Sequence, residues 1–360
     1  MNQGEREAKI AQKPTVIPLS QILGQEKAVD FLKQVIAREK IPHAYLFVGV
    51  PGIGKTTAAI ALAQILNCEN PDNGEGCGRC RSCRQIKSGN FPELVFIEAE
   101  GRYIKIEQIR DLDHVLGFKP LVGKYRVSVI RQAETMTEEA ANAFLKTLEE
   151  PPPGNMLVLT VTDPRDLLPT IVSRCQKVAF RPIPAHLIKK WLVAEKRLSE
   201  GDATAVARIC NGSLGRAKEI AEGEFLGKRK EYIKGIIDVV QDPPLDSIEK
   251  VIQLVGRESK KGYEALDLLA IWKSWYRDLM VIKTTGGDSF LINKDFSGEL
   301  KKVSKNFTIE MLINSLFLID QAERDLTGSR NLDLMLENIV LGLKSLSLER
   351  GEISSSIRTP

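Results

Sequence analysis

The sequence predicts an α/β domain, a parallel sheet with helices on both faces, followed by a small helical domain and a larger all-helical bundle. Three observations lead there. Through about residue 181, short apolar runs of strand length alternate with segments whose apolar residues recur at helical spacing. Beyond Pro182 and Pro184 the strand signal fades. From about residue 225 onward every apolar pattern has the helical period. A chain of 360 residues holds two or three such domains, and its 43% hydrophobic fraction is enough to fill their cores.

Residues 1–17 are polar and interrupted by Pro14, so they are expected to be flexible. Val29, Leu32, Val35 and Ile36 give a first helix over Ala28–Ala37, and Tyr45–Val48 a first strand. A glycine loop, Gly49–Thr56, then opens an alanine-rich helix running to about Leu66. Leu94–Glu98 reads as a strand, Ile106, Ile109, Leu112 and Leu116 as a helical stripe, and Val127–Ile130 as a further strand. Thr135, three residues before Glu138, fits a capping box. The helix it would open is lined by Ala140, Ala141, Phe144, Leu145 and Leu148 and stopped by Pro151–Pro153. Met156–Thr160 and Val178–Phe180 supply the last strands, so the first domain spans 18–182 with an insertion at 68–83.

Leu187, Ile188, Trp191 and Leu192 begin the small helical domain, 183–223. The bundle, 224–348, carries one stripe at Leu268, Ile271, Trp272, Trp275 and Leu279 and another at Ile309, Leu312, Ile313, Leu316 and Ile319. Trp272, Trp275 and Tyr276 are either interface anchors or, as stripes usually are, the bundle's own core. The Ser-rich tail, 349–360, is expected to be disordered.

Lys and Arg total 51 against 47 Asp and Glu, a net charge of +4, which excludes a globally cationic nucleic-acid binder and leaves only a local patch. The N-terminus has no leader pattern, and no run of about 18 apolar residues occurs, so a soluble cytoplasmic chain is expected.

Gly49–Thr56 fulfils the pattern G-x-x-x-x-G-K-[ST] between a strand and a helix. Gly49, Gly52 and Gly54 let backbone N–H groups wrap phosphates. Lys55 brings a point charge to the outer phosphates, Thr56 can hold Mg²⁺, and Thr57 sits beside it in the first helical turn. This points to ATP or ADP. Hydrolysis needs more: an acid at the end of a neighbouring strand to anchor Mg²⁺ and a second to orient water. The strand ending at Ile130 is followed instead by Arg131 and Gln132, so Mg²⁺ binding and turnover are both in doubt. Glu134 is near in sequence, but its offset is expected to point it elsewhere.

Cys68, Cys77, Cys80 and Cys83 offer four thiolates with two CxxC steps, the donor set of one closed structural Zn²⁺ site. Disulfides are the alternative in an oxidising compartment, whereas the bacterial ferredoxin spacing would need another cysteine followed by proline just after Cys83.

Several blocks together resemble the bacterial clamp loader of DNA polymerase III, an AAA+ pentamer. They are Ile22–Gln25, His43–Phe47, the phosphate loop, the four cysteines, Asn142–Pro152, Thr162-Asp163-Pro164 and Ser173-Arg174-Cys175, spread from about residue 18 to 222. The resemblance implies an AAA+ domain, a helical lid and a helical collar. It also implies partners: gamma/tau-type ATPase subunits, a delta subunit, the sliding clamp and, as part of the complex, primed DNA. Motor subunits of the family carry Asp-Glu where Arg131-Gln132 stands, and the departure implies a non-hydrolysing, stator-like member. Arg174 then becomes an arginine finger serving a neighbour's ATP site, and Thr162 a nucleotide-sensing residue. Gly215 occupies the lid position at which motors place a sensing arginine, and the basic residue, Arg216, comes one place later. Two other readings remain open at this point: a competent motor subunit of the same machine, and a zinc-dependent nucleic-acid binder with an incidental phosphate loop.

Overall fold

A computed structural model describes residues 16–38, 41–223, 225–241, 243–255, 261–326 and 332–348. Most of the N-terminal stretch expected to be flexible, and the whole tail from 349, lie outside the described residues.

The chain divides into two compact units. The first gathers the residues up to Ile188 together with Asn211–Arg216. It begins with helix α1 (Glu26–Ala37), strand β1 (Ala44–Val48), α2 (Lys55–Leu66) and α3 (Arg81–Ser88). It continues through β2 (Leu94–Ile97), α4 (Ile106–Leu116), β3 (Arg126–Ile130), α5 (Glu138–Glu149), β4 (Asn155–Val161), α6 (Pro169–Arg174) and β5 (Gln176–Ala179). The five strands form one parallel sheet in the order β2-β3-β4-β1-β5. Parallel strands need crossover helices, and those helices bury both faces, which explains why β3 and β4 are buried at every position.

One face is closed by α4, α5 and α6, whose Ile109, Leu112, Leu116, Phe144, Leu148 and Ile171 pack with Leu46, Ile130, Leu157 and Leu159 of the sheet. On α2, every residue from Ala58 to Ala63 is at most 2% exposed, the condition of a helix that is apolar all round. Its Ile60 joins Ile86 of α3 and Phe91 in a second cluster. The expected fold of this unit, an α/β domain with a parallel sheet covered by helices on both faces, is the one observed.

One detail differs from expectation. Helix α5 is capped by Thr137, whose Oγ1 accepts the Ala140 N–H at 3.2 Å. Thr135 instead ends a 3₁₀ turn, Ala133–Thr135, and donates to the Gln132 carbonyl. The capping-box spacing to Glu138 singles out Thr135, but the turn after β3 consumes it, and Thr137, with Ala140 three residues on, caps the helix by its hydroxyl alone.

Beneath the loop that joins α4 to β3 lies a buried ion pair. Arg126 Nε donates to Glu93 Oε2 at 2.8 Å with side chains 6% and 1% exposed, and Arg126 Nη1 donates to the carbonyls of Val115 and Phe118. Glu93 Oε1 accepts the Leu121 N–H. Every oxygen and most guanidinium protons are thereby used, the condition under which such a pair is tolerated. Glu93→Ala leaves the Arg126 charge buried and unpaired. It is expected to cost about 3–5 kcal/mol, read as a lower urea midpoint, whereas a loss under about 1 kcal/mol would mean that the pair contributes little.

The second unit comprises Lys189–Cys210 and the residues from Ala217. It is helical: most of α7 (Ala185–Lys196) and α9 (Leu214–Glu222), then α8 (Glu200–Ile209), α10 (Phe225–Gln241), α11 (Pro244–Val255), α12 (Lys261–Thr285), α13 (Ser297–Ser304), α14 (Ile309–Leu326) and α15 (Leu332–Leu348). Trp272, Trp275 and Tyr276 of α12 are at most 1% exposed, and Trp272 Nε1 donates to the Tyr232 carbonyl at 3.0 Å, so they form the unit's own core. The stripe on α14 is split: Leu312 and Ile319 are buried, whereas Ile309 and Ile313 stand about half exposed beside Phe317. Helical spacing identifies an apolar face but not its width. Among the described residues no helix is long and apolar enough to cross a membrane.

Candidate functional site

Ligands of open parallel sheets bind where the strands end, and the phosphate loop emerges there. β1 and β4 are in register to Val48 and Val161, and the Gly49 N–H then donates to the Val161 carbonyl at 3.0 Å. A Cβ on Gly49 would lie 2.6 Å from the Phe180 carbonyl oxygen, so only glycine lets the chain leave the sheet here. Lys55 opens α2 with only 8% of its surface exposed, and its Nζ donates to the carbonyls of Gly49 and Val50. Burial lowers its pKa to about 8, while the negative charge of Glu134 acts in the opposite direction. Thr56 and Thr57 are half-buried in the first turn of α2.

The loop is clasped by the segment from Ser213 to Gly215. Ser213 Oγ donates to the Pro51 carbonyl and the Gly215 N–H to the Gly52 carbonyl, each at 2.8 Å. Gly52 has φ +72°, and a Cβ on Gly215 would sit 2.8 Å from Gly52 Cα. At the position expected to sense nucleotide, backbone meets backbone and no side chain fits.

At the end of β3 the structure corrects two expectations. Arg131 does not occupy the phosphate side. Its guanidinium pairs with Glu98 and lies 4.8 Å over the Phe96 ring, toward β2 and away from β4 and β1. Glu134 does not point elsewhere. Gln132 adopts a left-handed φ of 49°, and the 3₁₀ turn after it folds back across the end of β4. Glu134 Oε1 there accepts the Thr162 N–H at 3.2 Å, and its Oε2 is buried without a partner. Thr162, the expected sensor, is exposed, one residue beyond β4 and next to Gly49 in the sheet.

Arg174 ends α6 at the other edge. Cys175 follows, then β5, whose first residue Gln176 pairs with Tyr45 near the start of β1. The phosphate loop leaves the far end of β1, so a strand of roughly 13–16 Å separates Arg174 from its own loop. The Arg174 side chain is 36% exposed, and its guanidinium donates to Glu149 Oε1 at 2.5 Å and to the Thr170 carbonyl at 3.0 Å. The neighbouring Cys175 thiol is pushed up to about 12 by burial, which makes it an inert packing group.

The insertion brings Cys68, Cys77, Cys80 and Cys83 together, all four sulfurs within 4.8 Å of one another. The N–H groups of Cys77, Cys80 and Cys83 donate to the sulfurs of Cys68, Cys77 and Cys80 at 3.2, 3.3 and 3.5 Å. Backbone N–H donors, chiefly from Arg79 and Cys80, bring the Cys77 thiol down to about 6, whereas burial raises the Cys68 and Cys83 thiols. None of the six cysteines is in a disulfide, so the four can hold a metal ion.

Sequence reasoning missed the groups that fasten these parts. Glu75, inside the insertion, accepts the Leu19 and Ser20 N–H groups at 2.8 and 2.9 Å and pairs with Lys33 of α1 at 2.8 Å. Gln25 is buried and clips the backbone of Arg181 through both amide atoms. A lone Glu between metal ligands has no local signature. Gln25 belonged to a noticed block, but its partner lies 156 positions away.

The family profile described as DNA polymerase III, delta subunit, matches residues 24–184, and one for the C-terminal part of that subunit matches residues 225–345. The delta' subunit of DNA polymerase III from Bacillus subtilis is 31% identical over 323 residues, which cover 89% of this chain and 96% of that protein. The tau subunit from the same organism is 26% identical over 343 residues, covering 89% of this chain and 60% of tau. The Escherichia coli delta' subunit is 32% identical over 184 residues, 51% of this chain and 55% of its own length. Among solved structures, a gamma-subunit-related protein from Thermotoga maritima superposes with a TM-score of 0.41 at 19% identity, covering 88% of this chain and 99% of that one. Similarity thus extends to delta' and tau alike and does not by itself separate their roles. The chain belongs to the DNA polymerase III clamp-loader subunits, the family of delta' and tau/gamma.

Proposed function

We propose that the chain is the delta-prime type of clamp-loader subunit. It joins gamma/tau ATPase subunits and a delta subunit in a pentamer that loads the sliding clamp onto primed DNA. In this reading it holds ATP or ADP without turning it over and lends Arg174 to a neighbour's site. Residues 183–223 then act as its lid and 224–348 as its collar. The observation that carries the reading is the end of β3, where the strand-end position is a guanidinium already committed to Glu98 and Phe96. Arg174, just before edge strand β5 and a strand's length from its own loop, is suited to act on another chain.

The residues fit a nucleotide. Gly49, Gly52 and Gly54 give the loop the positive-φ turns with which backbone N–H groups wrap phosphate, and Lys55 is held over the loop carbonyls, from which phosphate oxygens would draw its ammonium. The four cysteines fit one structural Zn²⁺, which would fix the insertion against α1 and α2 and take no part in chemistry.

The test is the purified chain with ATP and Mg²⁺. Binding without turnover is expected, and Lys55→Ala should weaken binding about 10–100-fold, the contribution of a charge-assisted hydrogen bond. Appreciable turnover that Lys55→Ala abolishes would replace this reading with a motor subunit. One observation favours that second reading: the Glu134 carboxylate at the mouth of the site.

A further inference from the structure

We propose that Glu134 is the acid of the nucleotide pocket, the carboxylate through which this chain meets the divalent cation of a bound nucleoside triphosphate. The inference rests on the reading that the pocket holds nucleotide. It does not depend on whether that nucleotide is cleaved.

Four observations converge. The residues following β3 offer no acid toward the phosphates, because Arg131 is drawn to β2 and Gln132 is exposed, using its N–H on Thr160 Oγ1 at 3.1 Å. The left-handed Gln132 and the 3₁₀ turn after it carry the next acid, Glu134, across the end of β4. There Oε1 is fixed by the Thr162 N–H, while Thr162 follows Val161, whose carbonyl receives the first N–H of the phosphate loop. The carboxylate is thus one strand away from the loop and near enough to oppose the effect of burial on Lys55.

The last observation is the free oxygen. Oε2 is buried and has no hydrogen-bond partner in the protein, although a carboxylate oxygen accepts readily and is costly to bury unpaired. One oxygen held and the other idle is the arrangement of a group waiting for a cation or its water. Magnesium keeps several waters and takes one or two carboxylates beside the phosphates, so a single Glu meets its requirement. The sequence hides this because the acid comes three positions after Arg131, and only the turn returns it to the site.

The test is the affinity of full-length chain for a fluorescent ATP analogue, N-methylanthraniloyl-ATP, by anisotropy with Mg²⁺ and with EDTA, for the wild type and Glu134→Gln. The substitution keeps the size of the side chain and the acceptor for Thr162. Mg²⁺ is expected to tighten wild-type binding about 10-fold, and Glu134→Gln to lose that gain while binding metal-free nucleotide at least as well. An unchanged Mg²⁺ gain in the variant overturns the assignment. So does equal loss with and without Mg²⁺, which would make Glu134 a structural residue, and so does a wild type that binds no nucleotide in either condition.

Turnover read in the same samples separates the two ideas. Hydrolysis lost with Glu134→Gln removes the non-hydrolysing reading and leaves this one standing. A Mg²⁺ gain indifferent to Glu134 without hydrolysis does the reverse.

Discussion

Arg174→Ala in the reconstituted pentamer is expected to slow ATP cleavage at the site it serves by on the order of 10³, while the isolated chain folds as before. The size follows from charge spreading over the phosphoryl oxygens in the transition state, which a planar guanidinium neutralises and water does not. In the isolated chain Arg174 sits at the surface, bonded to Glu149 and to a carbonyl of its own helix, so its loss opens no cavity and leaves only an exposed acid. Stability should move by less than about 1 kcal/mol. Arg174→Lys should recover little, because an ammonium cannot bridge two oxygens as the fork does. In the proposed pentamer, steady-state turnover would dilute the effect wherever other sites still fire, so single-turnover cleavage is the deciding measurement. Wild-type rates there would remove the role of Arg174 without disturbing the family assignment.

How much was legible in the sequence depended on the range of the signal. The strands of the sheet and the phosphate loop were readable because each is encoded within a dozen residues, by period, glycine placement or a fixed motif. The four cysteines were readable for the same reason. Arg131 and Glu134 show where such reading stops. An Arg at a strand end reads as opposing the cation, yet Phe96 of the neighbouring strand and Glu98 just beyond it decide where it points. The offset of Glu134 points it away from the site, a rule that holds for a continuing strand and fails once a left-handed residue reverses the chain. The Ile309 and Ile313 side chains make the same point on α14, since spacing put them on the apolar face and tertiary packing left them outside. What escaped was consistently the partner, which sequence distance conceals.

Removing the proposed Zn²⁺ tests a coupling that only the fold reveals. Chelation, or Cys77→Ser with Cys80→Ser, is expected to lower zinc from about one equivalent per chain to a trace and to unfold the insertion locally. Binding four thiolates to Zn²⁺ is worth on the order of 10–16 kcal/mol at neutral pH, comparable with the cost of ordering a segment of this length at about 1 kcal/mol per residue. Without the metal nothing offsets that cost, because the stretch between Cys68 and Cys80 is mostly exposed or half-exposed and contributes no core. The disturbance should then travel. Glu75 lies inside the insertion and holds the N–H groups of Leu19 and Ser20 and the Lys33 ammonium, so its release frees the segment that precedes α1. Hydrogen exchange should show protection falling at least about 10³-fold, roughly 4 kcal/mol, at Cys77, Cys80, Leu19 and Ser20. The amides of β1, β3 and β4 should keep theirs, since their partners lie in the sheet. If zinc is absent from the folded wild type, the metal assignment falls. If zinc leaves and Leu19 and Ser20 stay protected, the metal is real and the coupling through Glu75 is not.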